Sequence, residues 1–445
     1  MKRIQGLLAA FLIAAHAVLW LLADTLWPQP FGYFSLRRAF MQYSGVVAIG
    51  AMSLALLLAL RPRRIERPLG GLDKMYRLHK WLGITALVVG LLHWWWAQGT
   101  KWMVGWGWLE RPARRPRAAL PEGSLEAWLG AQRGLAEGIG EWAFYAALLL
   151  LVLALVKRFP YHWFRRTHKW IALAYLALVY HAIVLTQYAY WRQPIGWLLA
   201  LLLLGGSVAA LLALAGRIGA GRSVSGHVEA FQHYPDLEVS ELRVALQGGW
   251  PGHAAGQFAF VTTDAREGAH PFTIASAWDA GDPRISFIAK ALGDHTARLR
   301  GQLAVGMPVQ VEGPYGCFDF EDDAARQIWV GAGIGITPFV ARMKQLATQP
   351  GRQTIDLFHP TGVLEPAAID KLRADAQAAG VRLHLLVSGR DARLDAESLC
   401  RAVPDWAQAS VWFCGPADFG RSLGAELQRR GLPARRFHQE LFEMR

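Results

Sequence analysis

The sequence has 445 residues, 53% of them hydrophobic, and a formal net charge of +13; this length admits two or three domains. Long apolar runs fill residues 1–215, whereas 222–445 have the composition of ordinary soluble protein, so a membrane half joined to a soluble half is predicted. A charge this positive often marks nucleic-acid binding. Here many arginines lie in short loops between apolar runs, where membrane topology accounts for them, so a lipid bilayer rather than nucleic acid is the expected partner. The three cysteines, Cys317, Cys400 and Cys414, form no C-x-x-C pair, which argues against a zinc site, a cysteine-ligated iron–sulfur cluster and a disulfide framework. The soluble half is therefore expected in the cytoplasm.

In chain order, Met1-Lys2-Arg3 precedes an apolar run to Leu22, read as an uncleaved first helix rather than a signal peptide. Further apolar runs occupy about 41–60, 79–97, 139–157, 168–189 and 194–215. Each approaches the roughly 20 residues that cross a bilayer, so residues 1–220 are predicted to form a six-helix transmembrane bundle. The segment 61–78 holds Arg61, Arg63, Arg64, Arg67, Lys74 and Arg77, and the segment 158–167 holds Arg158, Arg165 and Arg166. Both fall on one side, and the positive-inside rule puts that side and both termini in the cytoplasm of an inner-membrane protein. The opposite loop, 98–138, carries Arg111, Arg114, Arg115 and Arg117, but is long and less densely basic.

Two apolar runs each carry two histidines: His79 and His93, 14 positions apart, and His168 and His181, 13 apart. Both runs open with His-Lys-Trp. Ionisable side chains inside apolar spans are costly and rare, so they point to function. At about 1.5 Å per residue each pair spreads over roughly 20 Å of helix. Two such helices side by side would present one His–His couple near each membrane face, His79 with His168 and His93 with His181. Facing imidazoles are the arrangement that ligates a haem iron from both sides. One detail conflicts with regular helices: a 13-residue step misses the starting face by about 140°. Either the second helix is irregular or the two sites sit at different azimuths. The run Trp94-Trp95-Trp96, with Trp102, Trp106 and Trp108, fits an interfacial belt or a lid over the outer site.

Past Arg222, short alternating runs (VSGHVEAF, LEVSELRVAL, GQFAFVTT, PFTIAS, RISFIAKAL, MPVQVEG) predict a small antiparallel barrel or sandwich over 221–323. Residues 324–445 alternate strands IWVGAG, TIDLFHP, RLHLLVS and SVWFCGP with helices at about 337–348, 364–379, 394–402 and 417–430, the pattern of an α/β parallel sheet. Its first strand runs into Gly331-Ala332-Gly333-Ile334-Gly335-Ile336-Thr337-Pro338. Glycines there let a backbone approach a pyrophosphate at a helix N-terminus, which Thr337 would cap.

In this order the motifs resemble the ferredoxin–NADP reductase superfamily, and with the paired histidines its membrane branch of ferric reductases and NADPH oxidases. The resemblance runs from about residue 40 to the C-terminus. It implies FAD along His270, Pro271, Phe272, Thr273 and Ser276, with Lys290, Gly293, Asp294 and Thr296 near its pyrophosphate. The family commonly has arginine at the Lys290 position and tryptophan at that of His295. It implies NADPH, or NADH, on Gly331, Gly333, Gly335, Thr337 and Pro338. Cys414, Gly415 and Pro416 would lie near the nicotinamide, Ser388 and Arg390 at a 2′-phosphate, and Phe442 at the flavin ring. Cys414 reads equally as a small buried hydrophobe.

The expected function is transmembrane electron transfer from cytoplasmic NADPH through FAD and two b-type haems to an extracytoplasmic acceptor, with chelated ferric iron favoured over oxygen. Ala97, one turn beyond His93, supplies no polar group for oxygen. The alternatives are a superoxide-producing oxidase, a haem relay subunit feeding a periplasmic partner, and a six-helix transporter with a regulatory nucleotide domain.

Overall fold

The computed structural model describes residues 6, 16–25, 27–110, 121, 123–156, 158–264, 267–291 and 294–440. Most of the predicted first span, the four outer-loop arginines from Arg111 to Arg117, Gly293 and Phe442 lie outside the described residues. The chain divides into two compact units: Met1–Arg63 with Met75–Ile218, and Arg64–Lys74 with Gly219–Met444.

The first unit is helical. Its principal helices are α1 (Tyr33–Ala59), α2 (Leu72–Gly105, whose first residues belong to the second unit), α3 (Arg133–Leu155), α4 (Tyr161–His168), α5 (Ile171–Leu185) and α6 (Pro194–Leu214). Among the described residues four stretches are long and apolar enough to cross a membrane: α1, α3, the combined stretch His162–Leu185 and α6. Helix α2 carries the predicted 79–97 run within 34 residues. Helix α1 begins earlier than the apolar run because Ser35 Oγ accepts the Gly32 N–H at 3.0 Å. Pro194 opens α6 at a position where its missing N–H costs no bond. The core gathers Trp20, Val46, Ile49, Tyr175, Tyr190 and Leu199. Trp20 Nε1 donates to Tyr190 Oη at 3.1 Å, so the described end of the first apolar run packs into this unit.

Between α4 and α5 the backbone tightens. The amides of Trp170, Ala172 and Leu173 bond to carbonyls three residues back, at 3.0, 3.1 and 3.1 Å. Three-residue winding advances about 120° per residue against 100° in an α-helix. Each tightened residue therefore recovers about 20° of the roughly 140° deficit in the 13-residue step. The irregular helix, one of the two options left open by the spacing, is the one observed.

In the second unit an antiparallel sheet has the strand order β4-β3-β6-β1-β2-β5. The strands are β1 (Ser223–Tyr234), β2 (Val239–Leu246), β3 (Phe258–Thr262), β4 (His270–Thr273), β5 (Arg284–Lys290) and β6 (Pro308–Tyr315). A bridge between Ile274, just past β4, and Phe287 in the middle of β5 links the two outer strands. Helix α7 (Asp294–Gln302) follows β5. A parallel sheet has the order β11-β10-β7-β8-β9, from β7 (Arg326–Gly331), β8 (Thr354–Thr361), β9 (Arg382–Val387), β10 (Ser410–Cys414) and β11 (Phe437–Gln439). Strand alternation divides its core into two faces. Trp329, Leu357 and Trp412 pack with Phe339 and Met343 of α8 (Thr337–Thr348). Ile328, Val330, Phe358, Val411 and Phe413 pack with Leu399, Leu423 and Leu427 on the other side. Helix α9 (Pro366–Ala378) connects β8 to β9.

The basic segment Arg64–Lys74 clusters with this second unit. Glu66, 7% exposed, accepts the Gly316 N–H at 2.7 Å. Its other oxygen lies 3.8 Å from Arg222, whose guanidinium sits 4.4 Å over the Tyr315 ring. The Tyr315 hydroxyl donates to Glu312 at 2.6 Å. Glu66→Ala strands a buried amide and removes the partner of a half-buried guanidinium, at a cost on the order of 1–3 kcal/mol. Thermal unfolding of the purified full chain should show a lowered midpoint, with Glu66→Gln intermediate because it still accepts from Gly316.

Candidate functional site

The histidine rings meet in two couples. His79 and His168 have centroids 5.9 Å apart with planes at 66°; His93 and His181 are 6.5 Å apart at 76°. Two imidazoles on one metal, with bonds of about 2 Å and about 1.1 Å from nitrogen to centroid, sit about 6 Å apart. The outer nitrogens are largely committed. His79 Nδ1 lies 2.8 Å from the Ala55 carbonyl, and His181 Nδ1 lies 2.9 Å from that of Ala136. His93 Nδ1 is 2.9 Å from Ser44 Oγ, whose own hydrogen goes to the Phe40 carbonyl at 2.7 Å. Three Nδ1–H groups are thus donors, which leaves Nε2 of each ring with its lone pair free for a metal. His168 Nδ1 is buried with no partner among the described residues.

Gly140 makes room for the second couple, since a Cβ there would stand 1.9 Å from His181 Nδ1. Among the described residues no three His, Cys, Asp or Glu side chains gather as a metal site. A donor set of two imidazoles therefore fits a metal whose remaining ligands come with it, as the four in-plane nitrogens of a haem do. Sequence reading missed Ser44, Gly140 and Arg37. Arg37 stands two turns before Ser44, and its Nε donates to Thr100 Oγ1 at 2.9 Å and to the Trp96 carbonyl at 3.3 Å. Trp96 stacks on Tyr33, whereas Trp95, Trp106 and Trp108 are exposed.

In the antiparallel sheet, His270, Pro271, Phe272 and Thr273 form β4, paired residue for residue with β3. Ser276 lies just beyond and is fixed twice: its hydroxyl accepts the Ser286 N–H at 3.1 Å, and its carbonyl accepts from His253 Nε2 at 3.0 Å. Burial pushes the His253 pKa down to about 4, so this ring is neutral and accepts from Trp250 Nε1 at 3.3 Å. Lys290 ends β5, while Asp294 and Thr296 lie in the first turn of α7.

In the parallel sheet, β10 and β7 run side by side with Cys414 opposite Gly331. This brings Gly331, Gly333, Gly335, Thr337 and Pro338 beside Cys414, Gly415 and Pro416. The Ala332 N–H donates to the Cys414 carbonyl at 2.9 Å. A Cβ on Gly335 would reach 2.2 Å from that same carbonyl oxygen, so only glycine permits the close crossing. Thr337 does not cap the helix as expected. Ile336 is the capping residue, and Thr337 is the first helical residue, donating its hydroxyl to the Ile334 carbonyl at 2.8 Å. The tight 3₁₀ turn Gly333–Ile336 shifts the start by one position. The Cys414 side chain is fully buried in the aromatic core with Phe318, Phe339 and Trp412, and burial pushes its thiol well up. Ser388 and Arg390 lie exposed in the loop after β9.

Two further buried groups adjoin this edge. His359, near the end of β8, directs Nδ1 to the Gly331 carbonyl at 2.6 Å. Glu440 follows β11, a strand that sequence patterning did not reveal. It is 5% exposed, and its Oε2 has no partner among the described residues. Burial, and then the neighbouring Asp73, push the Glu440 pKa up to about 8. No local sequence signal marked Glu440, because its burial depends on the pairing of β11 with β10.

Apolar membrane-length helices joined to this two-sheet module define a membrane-embedded oxidoreductase of the flavoprotein class. Residues 44–179 match the family described as ferric reductase like transmembrane component, and residues 233–318 match an FAD-binding domain. The chain therefore joins a ferric reductase-like transmembrane component to an FAD-binding reductase module, the fused architecture of the ferric reductases and NADPH oxidases. The first match takes in His79, His93 and His168; the second takes in β4 and Lys290. The chain is 28% identical over 219 residues to the ferredoxin–NAD(+) reductase component of the alkene monooxygenase system of Xanthobacter autotrophicus, covering 46% of this chain and 67% of that protein. It is 28% identical over 211 residues to respiratory burst oxidase homolog protein E of Arabidopsis thaliana, covering 40% of this chain and 21% of that one. Among solved structures, Amycolatopsis cytochrome P450 reductase GcoB matches with a TM-score of 0.43 and 19% identity, over 50% of this chain and 70% of that one. The chain thus spans from about a fifth to two thirds of these relatives.

Glu440 sets a pH dependence. Its pKa is about 4.5 unfolded and about 8 folded, so only the unfolded chain ionises between these values. Stability falls as pH rises through that window, at up to about 1.4 kcal/mol per unit, and is unaffected by this group below it. Glu440→Gln should flatten the decline in the temperature of FAD release between pH 5 and pH 7.5.

Proposed function

We propose that this protein carries electrons across the inner membrane from cytoplasmic NADPH, through FAD and two bis-histidine haems, to an extracytoplasmic acceptor, with chelated ferric iron favoured. The single observation that carries this reading is the pair of facing imidazole couples with Nδ1 committed to oxygen acceptors in three of four rings. When bound, FAD would supply hydride acceptance and single-electron release, and haem would supply single-electron transfer. The reading takes residues 1–220 as a six-helix di-haem bundle, 221–323 as a closed flavin barrel and 324–445 as the nucleotide domain. Both termini and the two sheets face the cytoplasm.

His79 with His168 would hold the inner haem, and His93 with His181 the outer one. Strand β4 with Ser276, Lys290, Gly293, Asp294 and Thr296 would line FAD, and Phe442 would cover its ring. The loop from Gly331 to Pro338 would take the dinucleotide pyrophosphate at the start of α8. Ser388 and Arg390 would select a 2′-phosphate, so NADPH is preferred and NADH admitted. Cys414, Gly415 and Pro416 would border the nicotinamide, Cys414 acting through the shape of its loop. Each histidine couple would hold its haem iron through both Nε2 atoms, so the acceptor would react from outside that ligand shell. The fixed charge of Arg37 favours an anionic ferric chelate, and Ala97 offers oxygen no polar group. Similarity to the respiratory burst oxidase homolog favours a second reading, an oxidase that reduces oxygen to superoxide.

The deciding measurement is the visible spectrum of the purified protein reduced by NADPH without oxygen. Haem bands that persist in air and bleach on addition of ferric chelate support the reductase; rapid reoxidation in air with superoxide makes it the oxidase; absence of haem bands overturns both. His93→Ala should abolish reduction of the outside acceptor while flavin reduction persists. Gly140→Val, which drives a side chain into His181, should lower bound haem from two per chain toward one.

A further inference from the structure

We propose that His359 receives the hydroxyl of the adenosine-side ribose of the dinucleotide, and so is a binding residue that also holds the nucleotide loop. This rests on the reading that the parallel sheet takes NAD(P)H. The C-terminal edge of that sheet presents, strand by strand, Cys414 on β10, Gly331 on β7, His359 to Thr361 on β8 and Ser388 after β9. Ligands of parallel sheets bind outside this edge. With the pyrophosphate at the Gly331 loop and a 2′-phosphate at Ser388 and Arg390, the ribose between them must cross the end of β8. Neighbouring strands are about 4.8 Å apart, so the two outer anchors span about 10 Å, a distance suited to a phosphate-to-ribose step.

At that crossing His359 has the required chemistry. It is 6% exposed and lines a cavity of about 470 Å³ together with Lys290, Gly333, Ile334 and Thr361. Its Nδ1 hydrogen is given to the Gly331 carbonyl, so Nε2 carries the lone pair. Burial lowers its pKa, which keeps the ring neutral and Nε2 an acceptor at neutral pH. Thr361 is already occupied: its hydroxyl donates to the Val363 carbonyl at 3.0 Å, and its carbonyl accepts the Ser388 N–H at 2.9 Å. Lys290 and the lysines of α8 and α9 offer only donors, and of the acids that also line the cavity Glu241 already accepts from Lys371 and Tyr234. A ribose hydroxyl needs an acceptor, and His359 provides one.

The test uses the full chain in detergent and follows flavin reduction in single turnovers at varied NADPH. His359→Asn keeps a donor near the Nδ1 position and removes the acceptor at Nε2. It should weaken NADPH binding roughly three- to tenfold with an unchanged limiting rate, the effect of one lost neutral hydrogen bond. His359→Leu removes both bonds and should lower the limiting rate as well. The unaltered protein should lose a similar factor with 3′-deoxy-NADPH, and His359→Asn should lose nothing further with it. Unchanged binding by His359→Asn, or a full 3′-deoxy penalty in that variant, overturns the assignment while leaving NADPH oxidation intact. No flavin reduction by NADPH or NADH in the unaltered protein overturns the underlying reading as well.

Discussion

An imidazole placed among hydrocarbon side chains must find partners for its nitrogens, and the helical unit is arranged around that demand. Ala55 and Ala136 supply carbonyls that the α-helical ladder already uses, each accepting a second hydrogen bond. Ser44 supplies a hydroxyl turned by its own bond to Phe40. Each acceptor fixes a tautomer as well as an orientation, because a ring that gives away Nδ1–H keeps its lone pair on Nε2. The residues facing the histidines are small for the same reason. A ring can reach a helix backbone only where the intervening side chain is absent or short, as at Gly140 and Ala136. Among the described residues His168 has no such acceptor, and it is the ring at the helix break, where regular winding stops.

The break itself couples helix geometry to the spacing of the sites. A straight helix could not turn both His168 and His181 toward α2, and three short-range amide bonds between Trp170 and Leu173 supply part of the missing rotation. On α2 the 14-residue step needs far less correction, and that helix runs unbroken through both positions. The two arms of the histidine frame are thus unequal by construction, although their sequences open alike.

What the sequence disclosed follows from what is local. Apolar length located the four membrane-length stretches found among the described residues, period-two alternation located most strands, and glycine spacing located the loop at Gly331. The elements missed depend on distant partners. Glu66 reads as one acid in a basic loop until Gly316 and Arg222, some 150 or more positions away, enclose it. Strand β11 is three residues long and exists because β10 offers a free edge. Thr337 had the composition of a cap, but the 3₁₀ turn before it moved the cap to Ile336. His359 sits in a plain β pattern, and only the parallel register with β7 shows that it meets the Gly331 loop.

Three buried ionisable groups of the second unit share a further property. His253 is neutral because burial outweighs its bond to Ser276, His359 is neutral beside Gly331, and Glu440 is held protonated at neutral pH by burial and Asp73. Charged groups elsewhere in the unit lie exposed, as Arg390 does, or are paired, as Arg222 is with Glu66 and Asp73 with Lys74. The Glu440 pKa lies near neutrality, beside the Cys414 loop, and its Oε2 has no partner among the described residues. It is therefore a buried group whose protonation can respond to a change of charge at this sheet edge.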